Sequence, residues 1–142
     1  MKRMQIYHTF AMAAALVLMA LPFGVKGYYA MASDPTALDI MNPELMSFFD
    51  GRLFSFNHPL PFIAGISVLL LTVLSVLRSV LDVPALSFAS VVLSGVTLLL
   101  SLMPLMLYGI DYYSTVSMAV SFLLLCAVVL DVCILRNIRV DD

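Results

Sequence analysis

Four long stretches of this chain contain no Asp, Glu, Lys or Arg. Arg3 and Lys26 bracket 22 such residues, Arg52 and Arg78 bracket 25, Asp82 and Asp111 bracket 28, and Asp111 and Asp131 bracket 19. About 20 apolar residues, each rising about 1.5 Å, cross a hydrocarbon core of about 30 Å. Each stretch is therefore long enough to span a bilayer. The expected fold is all-α: an integral membrane four-helix bundle forming one transmembrane domain over residues 1–142. Spans are expected at about 6–25, 61–80, 84–108 and 114–135, with a partly helical outer loop over 26–60.

Composition narrows the function classes. Charged residues make up 11% of the chain and hydrophobic ones 63%, against roughly 25% charged in soluble domains. A net charge of −2 lacks the basic stripe that nucleic acid demands. The partners expected are the lipid bilayer and a membrane-protein partner or further copies of the chain. Cys126 and Cys133 stand seven residues apart. That is no zinc spacing, and two turns of one helix hold them too far apart to bridge.

Local signals place the helix ends. Pro59 and Pro61 suit a first turn, where a backbone N–H has no intrahelical use. Pro104 lies near the end of the third span and frees the carbonyl of Leu100. Around Gly109 to Tyr113 the connection is tight, so the last two spans form an antiparallel hairpin. In the outer loop, Asp34-Pro35 and Asn42-Pro43-Glu44 read as helix starts, with Gly51 as a stop. One or two short helices are expected there. Lys2 and Arg3, the apolar run and Ala30-Met31-Ala32 also resemble a signal peptide. The long Leu21–Tyr29 stretch with Lys26 favours retention as a span.

Basic residues set the orientation. With the N-terminus cytoplasmic, that side holds Lys2, Arg3, Arg78, Arg136 and Arg139, and the other only Lys26 and Arg52. The asymmetry favours both termini inside. Tyr28, Tyr29, Tyr108, Tyr112 and Tyr113 then fall at the outer face, with Tyr7 alone at the inner.

Lipid is as apolar as leucine, so spans associate through small residues and hydrogen bonds. Ser87, Ser90, Ser94, Thr97 and Ser101 follow at intervals of 3, 4, 3 and 4, which marks one packing seam. Comparable stripes are expected through Ala11, Ala14 and Ala15, through Gly65, Val68, Thr72, Ser75 and Ser79, and through Ser114, Ser117, Ser121, Leu124, Val128 and Asp131. A hydroxyl stripe also suits a polar conduit. A conduit wants an ionisable residue at mid-membrane depth, and the middle of each span lacks one.

Few residues offer chemistry. Asp131 sits on a seam near the cytoplasmic end, where an ion pair with Arg78 is expected; a proton-coupled or gating role is the alternative. His8 and His58 read as interfacial side chains on opposite faces, without metal ligands at suitable spacing. No nucleophile elbow, phosphate loop or HExxH occurs. No catalytic, metal or cofactor site is expected. Phe48, Phe49, Phe54 and Phe56 beside Arg52 and His58 form an outer-face patch. Such a patch either docks a partner or anchors the loop in the headgroups.

Ser47-Phe48-Phe49, Phe54, Asn57-His58-Pro59-Leu60-Pro61-Phe62-Ile63 and Leu21-Pro22-Phe23-Gly24 together resemble uncharacterised small four-span membrane proteins of Firmicutes. The resemblance covers about residues 21–77 and implies a bacterial plasma membrane and the same architecture. It implies no activity and no catalytic residues. A claudin-like pattern fits poorly, because the first outer loop has no cysteine and the chain no Trp. Small multidrug transporters carry a membrane-embedded Glu that the first span here lacks. The function expected is that of a non-enzymatic accessory or interaction subunit, with a small transporter or channel as the alternative.

Overall fold

The computed structural model describes residues 2–27, 44–54, 59–81, 83–110 and 113–140. Four helices dominate it: α1 Lys2–Ala20, α2 Pro59–Val80, α3 Pro84–Tyr108 and α4 Thr115–Val140. They pack in a ring, with α1 and α3 each lying against both α2 and α4.

Each helix ends for a local reason. α1 stops ahead of Pro22, which offers no N–H and disfavours helical backbone in the residue before it. The same restriction holds Val83 extended (φ −105°, ψ 116°) before Pro84 opens α3. α3 continues through Pro104 to Tyr108 and closes at Gly109. The positive φ of 84° there suits glycine, and the Gly109 N–H donates to the Leu105 carbonyl. Ser114 caps α4 by accepting the Ser117 N–H at 3.0 Å.

One buried stripe runs along every helix at alternating spacings of three and four. In α1 it is Gln5, His8, Met12, Ala15 and Met19, and in α2 Pro61, Ala64, Val68, Leu71, Ser75 and Arg78. α3 buries Ser87, Ser90, Ser94, Thr97 and Ser101, the full seam expected. α4 buries Ser117, Val120, Leu124, Ala127, Asp131 and Ile134. This spacing is the signature of left-handed helix pairing. Three of the expected stripes need adjustment. In α2 the seam passes through Leu71 and Arg78, leaving Thr72 half-buried and Ser79 exposed. In α1 Ala14 is exposed, and in α4 Val128 gives way to Ala127.

Among the described residues, three helices are long and apolar enough to cross a membrane: Pro59–Val80, Pro84–Leu107 and Thr115–Asn137. The expected fourth, α1, does not join them. Lys2, Arg3, Gln5, His8 and Thr9 fall in its first turns. It also ends at Ala20 instead of near Val25.

The outer loop departs further from expectation. Glu44–Met46 forms a strand, β2, antiparallel to β1, Val25–Gly27, pairing Val25 with Met46. Strand alternation shows in the side chains, Leu45 being 44% exposed and Met46 1%. Glu44–Met46 is thus strand where the sequence predicted a helix starting at Asn42-Pro43-Glu44, because pairing with β1 satisfies the backbone; Asn42 and Pro43 lie outside the described residues. Val25 also bridges Tyr113 on the other side. Gly51 begins a 3₁₀ helix, Gly51–Phe54, where it was expected to end one. The Asp34-Pro35 start and the Ala30-Met31-Ala32 box lie outside the described residues.

Candidate functional site

Asp131 draws one residue from each of the other helices toward α4. The Arg78 Nη1 of α2 donates to Oδ1 at 2.6 Å. The Ser90 hydroxyl of α3 donates to Oδ2 at 2.9 Å, and the His8 Nε2 of α1 lies 3.1 Å from the same oxygen. His8 Nδ1 faces Ser75 Oγ at 2.9 Å, and Ser75 Oγ meets Thr9 Oγ1 at 2.8 Å. The Thr9 hydroxyl donates to the Gln5 carbonyl at 2.9 Å. His8, Ser75, Arg78, Ser90 and Asp131 are all buried.

The seam explains the convergence. His8 is six residues past the start of α1 and Ser90 six past that of α3, while Arg78 is two before the end of α2. Antiparallel neighbours bring those positions to one end of the ring. The cluster lies about 10 Å inside the α1 and α3 termini, at a rise of about 1.5 Å per residue. Leaving any one member without its partner strands a buried polar group, which is costly. Arg78 already carries some of this cost: its Nε and Nη2 are buried without a hydrogen-bond partner among the described residues.

The expected pair of Asp131 and Arg78 is thus in contact, and fully buried among the helices. The reading of His8 as interfacial is corrected: the ring is enclosed, and only Tyr7 beside it faces outward. A usable signal existed in the sequence. His8 falls on the stripe through Met12 and Ala15, which points it at the same interior as Asp131. Among the described residues, no three His, Cys, Asp or Glu side chains converge as metal ligands would.

At the opposite end a second polar group forms from hydroxyls alone. Ser114 and Ser117 both donate to the Gly24 carbonyl, at 2.5 and 2.6 Å. Ser101 and Ser121 share a hydrogen bond of 2.5 Å, and the Tyr113 hydroxyl also contacts Ser121. Between the two ends lie Met12, Ala15, Val68, Leu71, Leu124 and Ala127, all fully buried and apolar. The mid-helix hydroxyls do not bridge this gap. Ser94 donates to the Val91 carbonyl and Thr97 to the Leu93 carbonyl, each within α3.

Of the outer-face patch, the side chains of Phe48, Phe49 and Arg52 are among the described residues. Phe48 is 3% exposed and packs on Gly24, where a Cβ would come within 2.7 Å of its ring. Phe49 is half-buried, its ring 3.0 Å from where a Gly65 Cβ would stand. Both rings plug the end of the helices. Arg52 is exposed, and its guanidinium donates to Asp50, the shortest contact being 2.7 Å. These bonds hold the Asp50 carboxyl below the usual aspartate range. Phe54 belongs to the 3₁₀ helix, while Phe56 and His58 lie outside the described residues.

No protein-family model, curated protein or solved structure matches the chain.

Proposed function

We propose that the chain is a four-span protein of a bacterial plasma membrane, with both termini cytoplasmic, and that it serves without catalysis as an accessory or interaction subunit. The polarity of α3 carries the membrane reading. Its buried seam is entirely Ser and Thr, while Phe88, Val92, Val96, Leu99, Met103 and Met106 face outward. A water-soluble helix buries its apolar face; α3 does the reverse, as a helix solvated by lipid does.

α1 supports the fourth span by the same logic. Gln5 and His8 depress its overall hydropathy, yet both are covered by the other helices. What faces outward beyond the basic start includes Ile6, Phe10 and Val17. Nineteen residues at about 1.5 Å each nearly match the hydrocarbon thickness. The basic residues at the His8–Asp131 end favour the cytoplasm for that end.

The accessory role rests on the closed middle, where α1, α2 and α4 bury Met, Ala, Val and Leu and the Ser94 and Thr97 hydroxyls of α3 are bound to their own helix. A carrier or channel wants a polar path, and the two polar ends are separated by packed Met, Ala, Val and Leu. The second reading, a small proton-coupled transporter, draws on the buried charges, since ionisable groups at membrane depth commonly mark ion pathways. Two measurements separate them. Purification from the native host in mild detergent should return a partner membrane protein at fixed stoichiometry. Proteoliposomes should show no proton or cation flux above empty vesicles. Robust flux by the isolated chain would refute the accessory role.

A further inference from the structure

We propose that the outward groove between α1 and α4 binds an anionic phospholipid of the cytoplasmic leaflet, with its phosphate between Arg3 and Arg136. Such a site presupposes the four-span reading with the N-terminus inside, and gives it a lipid ligand.

The register of the two helices brings the arginines together. Arg3 lies five residues before His8, and Arg136 five residues after Asp131. His8 meets Asp131 at 3.1 Å across antiparallel neighbours. Both arginines therefore stand at one level, about 7 Å beyond that contact toward the cytoplasmic end, at a rise of about 1.5 Å per residue. A second contact fixes the same register: the Asn137 Nδ2 donates to Met4 Sδ at 3.9 Å. Arg3 and Arg136 are exposed, and among the described residues neither has an ion-pair partner. Asp131, the acid at this end among the described residues, is buried and bound to Arg78. Arginine stays charged, so the two side chains repel. A phosphate between them turns repulsion into attraction, and its oxygens accept well from guanidinium forks.

Below this mouth the groove suits an acyl chain. On α1, Tyr7 and Ala14 follow Arg3 at the same-face spacings of four and four plus seven, and on α4, Cys133 and Cys126 precede Arg136 at three and three plus seven. Tyr7 stands about level with Cys133, and Ala14 with Cys126. Tyr7, Ala14 and Cys133 are exposed and Cys126 is half-buried. The outward surface elsewhere is built largely of Phe, Val, Leu and Ile, so Ala14 and the two cysteines leave a shallow apolar channel. Tyr7 puts an amphipathic ring where the headgroups meet the chains. Charge chooses the occupant. A zwitterionic headgroup brings its own cation, whereas an anionic one leaves its phosphate charge to the arginines.

The test is native mass spectrometry of the full-length protein in mild detergent, with equimolar phosphatidylglycerol and phosphatidylcholine of identical chains. The wild type should retain phosphatidylglycerol in preference by roughly tenfold or more, about fivefold coming from each arginine. Arg3→Gln with Arg136→Gln should abolish the preference. Lys26→Gln with Arg52→Gln, the same loss of charge at the outer end, should keep it. Ala14→Leu leaves both arginines in place but fills the channel, and should lower phosphatidylglycerol retention. Full retention by that variant would mark a site for phosphate alone and overturn the lipid assignment. Equal retention of the two lipids by the wild type, or an undiminished preference in the Arg3→Gln, Arg136→Gln protein, overturns the proposal. Orientation plays no part in detergent, so either failure is separate from a failure of the topology, which cysteine labelling in cells decides.

Discussion

Arg78 and Asp131 meet at 2.6 Å with side-chain exposures of 1% and 0%, 53 residues apart in sequence. A buried ion pair is dear to form and dearer to break, because removing one partner leaves the other charge desolvated. The pair thus ties α2 to α4 across the ring of helices.

Asp131→Asn should therefore cost about 3–5 kcal/mol, the range for breaking a buried pair. The double variant Arg78→Met with Asp131→Asn should recover part of that loss, because it removes the uncompensated guanidinium and keeps an amide facing His8 and Ser90. Unfolding by denaturing detergent, titrated against mild detergent, measures both. Equal losses in the single and double variants would show that the residues do not act as a pair.

Gly24→Ala places a methyl within 2.7 Å of the Phe48 ring, which is buried and has little room to yield. Destabilisation of about 1–3 kcal/mol is expected, as for overpacked cores. Gly51→Ala meets nothing within 4 Å and should melt with the wild type. Thermal unfolding of the two variants side by side gives the comparison.

How far the sequence disclosed this arrangement depends on whether the deciding contacts are local. The α3 seam was legible because its 3-4 spacing is a property of the helix itself. Asp131 was legible as a charge on such a seam, and Arg78 as the basic residue at the matching end of α2. His8 was not, because a histidine beside Tyr7 and near Lys2 has the composition of an interface. Only its stripe with Met12 and Ala15 points inward. β2 was not legible at all: Asn42-Pro43-Glu44 carries a helix-start signal, and pairing with Val25–Gly27 across the chain overrides it. The inward turn of Phe48 has the same origin, since its N–H donates to the Met19 carbonyl at 3.0 Å.

Ser94→Leu should destabilise by about 1–3 kcal/mol, since Ser94 is 0% exposed in the seam, while Val92, 51% exposed, should accept leucine with little change. Denaturing-detergent titration distinguishes them. Coincident curves would misplace the seam.

Asp50 offers a pH signature. Its carboxyl is held low by hydrogen bonds from Arg52, so the contribution is present at neutral pH and fades as pH falls through that lowered value. The group is exposed, so the stability effect is small. In ¹³C carboxyl titrations Asp50 should ionise at lower pH than a free aspartate, and Arg52→Gln should return it toward the usual range.

The central claim is that α1 crosses the membrane and brings His8 to Asp131 from the cytoplasmic end. Single cysteines at Lys2 and Asp39, in a chain with Cys126 and Cys133 replaced by alanine, test it on intact cells with an impermeant maleimide. The account predicts labelling at residue 39 and protection at residue 2 until the cells are permeabilised. The same labelling at both positions, or the reverse pattern, would contradict it.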